Sequence, residues 1–123
     1  MKRAIVTGGA GFIGSHIVDR LLDMGVKVVV IDNESSDCHE AFYWNDRAEN
    51  HKLDICDYAS ISPLFEGADA VFHLAAEARI QPAIKNPLLA VRVNVLGTCN
   101  VLQAAYIWGV RRLVYSSTSS AYG

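Results

Sequence analysis

The chain has 123 residues, of which 51 % are hydrophobic and 20 % charged, with a formal net charge of −2. That is one domain with room for a core, since folding at this length buries roughly 65 to 70 % of the unfolded surface. The balanced charge argues against a basic nucleic-acid surface, and no run approaches the ~18 uncharged apolar residues of a membrane span.

The segment RAIVT (3–7) reads as a first strand. After it, Ile13, Ile17, Leu21 and Leu22 share a face of a helix that Gly25 ends. KVVVID (27–32) is a second strand, followed by the longest irregular stretch, 33–50, whose AFYW (41–44) is expected to fold back as a lid or a packing patch. HKLDI (51–55) makes a third strand, and YASISPLFEG (58–67) a short helix or turn around Pro63. DAVFHLA (69–75) is a fourth strand. A long helix over 87–108 is opened by Pro87 and closed by Gly109, and RRLVYSS (111–117) is a fifth strand.

Short apolar runs of this kind fit strands covered on both faces of a parallel sheet. Their alternation with helices implies right-handed crossovers and a Rossmann-like, doubly wound α/β fold with strand order 3-2-1-4-5. One domain over 1–123 is expected, with no internal repeat and no second domain.

Gly9, Gly11 and Gly14 satisfy G-x-G-x-x-G, while Gly8, Gly11 and Gly14 satisfy G-x-x-G-x-x-G. Placed between a strand and a helix, such glycines allow a tight turn and bring backbone N–H groups to a pyrophosphate. Asp32 ends the second strand eighteen residues beyond Gly14, close to the ~20 expected for the acid that accepts hydrogen bonds from an adenosine ribose. Strand, glycine loop, helix, strand and acid together point to a dinucleotide. A carboxylate there repels a 2′-phosphate, and neither the glycine loop nor residues 33–36 contain Lys or Arg, which favours NAD over NADP.

Ligands of such sheets lie across the C-terminal strand ends. Asp54 and Ile55 are therefore placed to flank the adenine, and Leu74, Ala75 and Ala76 to let the backbone pass the nicotinamide side; tight packing of helix on sheet is an equal reading of the alanines. His73 reads more readily as a satisfied core residue than as a catalyst.

Cys38, Cys56 and Cys99 are odd in number and lack C-x-x-C spacing, which points to reduced thiols rather than a disulfide framework or a zinc site. The apolar run after Lys2 and Arg3 breaks at Thr7, short of the ~7 to 15 residues of a signal-peptide core. A cytoplasmic protein is expected, without metal, membrane or nucleic-acid partner.

Taken in order, VTGGAGFIGS, VVVIDN, LDI, VFHLAA, NVLGT and VYSSTSSAYG resemble the extended short-chain dehydrogenase/reductase family, the NAD-dependent nucleotide-sugar epimerases and dehydratases. The resemblance runs the whole length of the chain. It implies that Gly8, Gly11, Phe12, Ile13 and Gly14 hold the pyrophosphate of NAD, that Asp32 and Asn33 meet the adenosine ribose, and that Asp54 and Ile55 contact adenine. Leu74, Ala75, Ala76, Asn94 and Ser116 would then run beside the rest of the cofactor, although Asn94 also reads as a plain hydrogen-bonding residue between helices.

Thr118 takes the place of the family's active-site Ser or Thr, whose hydroxyl contacts the sugar hydroxyl being oxidised. Ser119 and Ser120 follow where the dehydratase and decarboxylase branches carry Asp or Glu, which favours an epimerase over a dehydratase; the resemblance implies one of the carbon-4 type. The family's Tyr-x-x-x-Lys base has no counterpart, because no tyrosine here has a lysine four residues on. By resemblance, the chain is expected to be the cofactor-binding portion of a longer enzyme, with a naturally short product that keeps the cofactor module as the other reading, and in either case inactive alone. The alternatives are a nucleotide-sugar dehydratase of the same family and a non-catalytic dinucleotide-binding or regulatory protein. The helix over 87–108 is apolar nearly all round and is expected to support a homo-oligomer.

Overall fold

The computed structural model describes residues 1–34, 42–75, 88 and 92–115. Five strands, β1 (Arg3–Thr7), β2 (Lys27–Asp32), β3 (Glu49–Lys52), β4 (Ala70–His73) and β5 (Arg112–Tyr115), form a parallel sheet of order β3-β2-β1-β4-β5. The expected strand order holds.

The sheet works because β1 and β2 alternate between two apolar layers. Ile5, Val29, Ile31 and Val71 face one way, where Ile61, Phe65, Val101 and Ala104 cover them. Ala4, Val6, Val28 and Val30 face the other way, onto Val18 and Leu21. The covering elements are α1 (Phe12–Asp23) on the second face, and on the first α2 (Tyr58–Ile61), a 3-10 turn (Ser62–Phe65) and α3 (Thr98–Ile107). Both faces of the central strands are therefore dry, as a parallel sheet requires.

In α1 the buried positions are Gly14, Ser15, Val18 and Leu21, whereas the sequence pattern places Ile13 on the inner face. Ile13 is 61 % exposed. Gly14 must face inward because it lies against the glycine loop, and that rotates the helix so that Ile13 looks out. The helix ends as expected: Gly25 takes φ +82°, and the Val26 N–H donates back to the Leu21 carbonyl.

β3 lies two residues earlier than the sequence reading of 51–55. It is an edge strand of mostly exposed polar residues, so hydropathy carries little signal there, and its position follows from pairing of Val29 with Glu49 through Asp32 with Lys52. After Leu53 the Asp54 carboxylate accepts the Cys56 N–H, the Asp54 carbonyl accepts the Asp57 N–H, and the chain turns.

The helix expected over 87–108 is regular only from Thr98. Leu88 is helical, but Arg92–Gly97 forms a π-helical turn before α3 begins. A wider turn brings Gly97 against Ile55, where a Cβ would sit 2.5 Å from Cδ1. Residues 87 and 89–91 lie outside the described residues, as do 116 and 117 of the fifth expected strand.

Candidate functional site

The C-terminal ends of β1, β2 and β4 meet the N-terminus of α1, and the glycines explain how. Gly8 takes φ +72°, and a Cβ there would lie 2.9 Å from the Ala75 nitrogen; a Cβ on Gly14 would overlap the Gly8 carbonyl oxygen. The loop and the helix thus touch backbone to backbone, which side chains would forbid. Gly9 has another task, packing inward on Val30 and Val18. The spacing that matters is Gly8, Gly11, Gly14.

Gly11 caps α1 with no side-chain hydrogen bond, and Phe12 and Ile13 stand 67 % and 61 % exposed at its start. The helix therefore points its positive end toward the glycine backbone of the loop, an arrangement suited to a phosphate.

Asp32 is buried at 9 % exposure. One carboxylate oxygen accepts the Ala10 N–H at 3.1 Å and the other the Glu34 N–H at 2.8 Å. It therefore clamps the glycine loop to the chain beyond β2, beside Asn33. From the following segment, the Tyr43 N–H donates to the Ala10 carbonyl at 2.9 Å, and Trp44 packs on the α1 side of the sheet. That part of AFYW is a packing patch on the loop.

On the other side, the Thr7 hydroxyl oxygen accepts the N–H groups of Leu74 and Ala75, at 3.0 and 3.2 Å. With its acceptor capacity used, its proton goes to His73 Nδ1 at 2.7 Å, so His73 carries its own proton on Nε2 and donates it to Thr98 Oγ1 at 2.9 Å. Burial pushes the imidazole down from 6.5 to about 4. His73 is a neutral core residue that links β1, β4 and α3, in keeping with the reading of it as satisfied rather than catalytic.

The structure thus gathers Gly8, Gly11, Phe12, Ile13, Gly14, Asp32, Asn33, Leu74 and Ala75 at one end of the sheet. Asp54 and Ile55 follow β3; the Asp54 carboxylate is turned onto its own loop, and the Ile55 side chain is buried in the core. Asn94 lies in the π-helical turn, half-buried. Ala76, Ser116 and Thr118 lie outside the described residues.

The profile of the NAD dependent epimerase/dehydratase family matches residues 4–123. The chain belongs to that family. The cofactor of the family is NAD, and the glycine cradle and the Asp32 carboxylate at the end of β2 fit it. A UDP-glucose 4-epimerase structure from Thermotoga maritima, solved with UDP-glucose, is 37 % identical with a TM-score of 0.90, covering 98 % of this chain and 40 % of that one. The Thermus thermophilus UDP-glucose 4-epimerase complexed with NAD is 38 % identical with a TM-score of 0.84, covering 94 % and 37 %. A UDP-N-acetyl-alpha-D-glucosaminuronate decarboxylase from Bacillus cytotoxicus is 37 % identical over 99 % of this chain and 38 % of its own. The chain spans about two-fifths or less of the curated relatives it matches.

Sequence reasoning missed three contributors to this end of the sheet. Thr7 and Thr98 stood in quoted motifs, but only the count of hydroxyl lone pairs shows their work. Lys52 was passed over because its neighbours in sequence are unremarkable, yet it pairs with Asp32 across the β2–β3 ladder.

Proposed function

We propose that this chain is the NAD-binding portion of a nucleotide-sugar epimerase acting at sugar carbon 4. The observation that supports it most is the contact of Gly8 with Gly14 beneath a buried Asp32 that clamps the same loop. Gly8, Gly11, Phe12, Ile13 and Gly14 would bind the pyrophosphate through backbone N–H groups and the helix dipole. Asp32 and Asn33 would meet the ribose, Asp54 and Ile55 would flank the adenine, and Leu74, Ala75, Ala76, Asn94 and Ser116 would line the rest. NAD bound there supplies a reversible hydride acceptor. Thr118 would position the sugar hydroxyl from which a proton leaves.

Ser119 and Ser120 in place of an acid favour the epimerase over the decarboxylase seen among the relatives. With no Tyr-x-x-x-Lys in the 123 residues, the chain alone binds the cofactor without turnover. Its partner is a second copy of itself, through α3 and the turn before it: Leu88 is 81 % and Tyr106 86 % exposed, and Val95 and Leu102 are exposed as well.

The test is a chimera in which these residues replace the matching segment of the Thermus thermophilus epimerase. It should interconvert UDP-glucose and UDP-galactose, and Thr118→Ala should lower kcat by about a hundredfold. A chimera that folds and binds NAD yet epimerises nothing, or instead releases carbon dioxide from UDP-glucuronate, would refute this reading.

A further inference from the structure

Beyond the end of β2 the backbone does something unusual for a side-chain-bearing residue. Glu34 has φ +58°, a left-handed conformation that normally calls for glycine or asparagine. It is held there by three partners. Its N–H donates to Asp32 Oδ1 at 2.8 Å, its Oε1 accepts the Trp44 indole N–H at 2.7 Å, and its Oε2 pairs with Lys52 Nζ at 3.2 Å. The indole first, and Lys52 after it, hold the Glu34 carboxyl below the usual carboxylate range, so it is ionised at neutral pH. Glu34, Trp44, Asn50 and Lys52 line an open cavity of about 240 Å³.

Lys52 is the in-register neighbour of Asp32 on the adjacent strand. Paired residues of a parallel ladder project from the same face, so the ammonium arises on the side where Asp32 meets the glycine loop. In a dinucleotide site of this kind that is the adenosine-ribose end, where a cation invites a 2′-phosphate and an anion repels it.

We infer that Glu34 is a cofactor-specificity residue: by engaging Lys52 at the edge of the sheet, it withholds a cation that would otherwise meet the 2′-phosphate of NADP. This rests on the proposed dinucleotide site. Trp44 fixes one oxygen of Glu34 and so aims the other at the ammonium. With Glu34 in place the local groups Asp32, Glu34 and Lys52 carry a net charge of −1; in Glu34→Gln they carry none, and Lys52 is released. Asp32 alone therefore does not set the preference for NAD. Glu34 completes it by cancelling the lysine next door.

Titration calorimetry of NAD and NADP into wild type, Glu34→Gln, Lys52→Met and the double variant tests this, with circular dichroism to check that each is folded. Glu34→Gln should bind NADP roughly three- to tenfold more tightly while NAD changes less than about twofold, and the gain should shrink at high salt because Lys52 is exposed. Lys52→Met added to Glu34→Gln should erase the gain, and alone should weaken NADP further. If NAD binds but the ratio of the two affinities is the same in wild type and Glu34→Gln, or if the gain survives loss of Lys52, the inference is wrong while the site stands. If no folded variant binds either nucleotide, both readings fall.

Discussion

The Thr7 hydroxyl has one proton and accepts two N–H groups, and each is committed: the proton to His73, the acceptor sites to Leu74 and Ala75. That leaves His73 no choice of tautomer and no proton to give up easily. Its folded-state value of about 4 lies below the ordinary 6.5, so between those values the unfolded chain binds a proton that the folded chain refuses. Stability from neutral His73 is complete above about pH 6.5 and is lost as pH falls to about 4, amounting to roughly 3 kcal/mol at most. Urea denaturation from pH 7 to pH 4 should show this fall in the wild type and a flatter profile in His73→Asn. Parallel profiles for the two proteins would mean that other groups govern the acid response.

Among the elements, the junction at Gly97 gives the sharpest expectation. A methyl group there would meet the buried Ile55 side chain at 2.5 and 2.7 Å, while one at Gly25 would meet nothing within 4 Å and suffer only from φ +82°. Gly97→Ala should therefore lower the unfolding free energy by about 1–3 kcal/mol, and Gly25→Ala by about 1 kcal/mol. Equal losses in a urea titration would show that the packing of α3 on Ile55 is softer than described. The same junction explains what the sequence hides. The apolar pattern of 87–108 announces a helix but not the π-helical turn, whose contact of Gly97 with Ile55 is a tertiary one. β1 and β2 were legible because burial on both faces leaves an unbroken Val and Ile run. β3 was misplaced because an edge strand of ENHK has no such signature. At the site, the glycine spacing and Asp32 could be read directly, since backbone clearance demands those residues. Glu34 and Lys52 could not, since they meet only when β3 lies against β2.

For the whole molecule, two faces lead outward. Leu102, Tyr106 and Ile107 on α3 leave apolar surface in water, which favours association. Sedimentation of the purified chain should give a dimer or larger species at micromolar concentration, and Tyr106→Glu should shift it toward monomer; a wild-type monomer at all concentrations would remove the proposed self-association. The other face is the end of the sheet where the glycine loop, the start of α1 and Asp32 meet. Its meaning is tested most directly by titrating NAD into the purified chain and into Asp32→Asn, which removes the charge while keeping one acceptor oxygen. Saturable binding by the wild type, weakened about tenfold or more in a variant that remains folded, is the predicted result. Binding that is equal in the two proteins, or absent from a folded wild type, would contradict the claim that this geometry is a cofactor site.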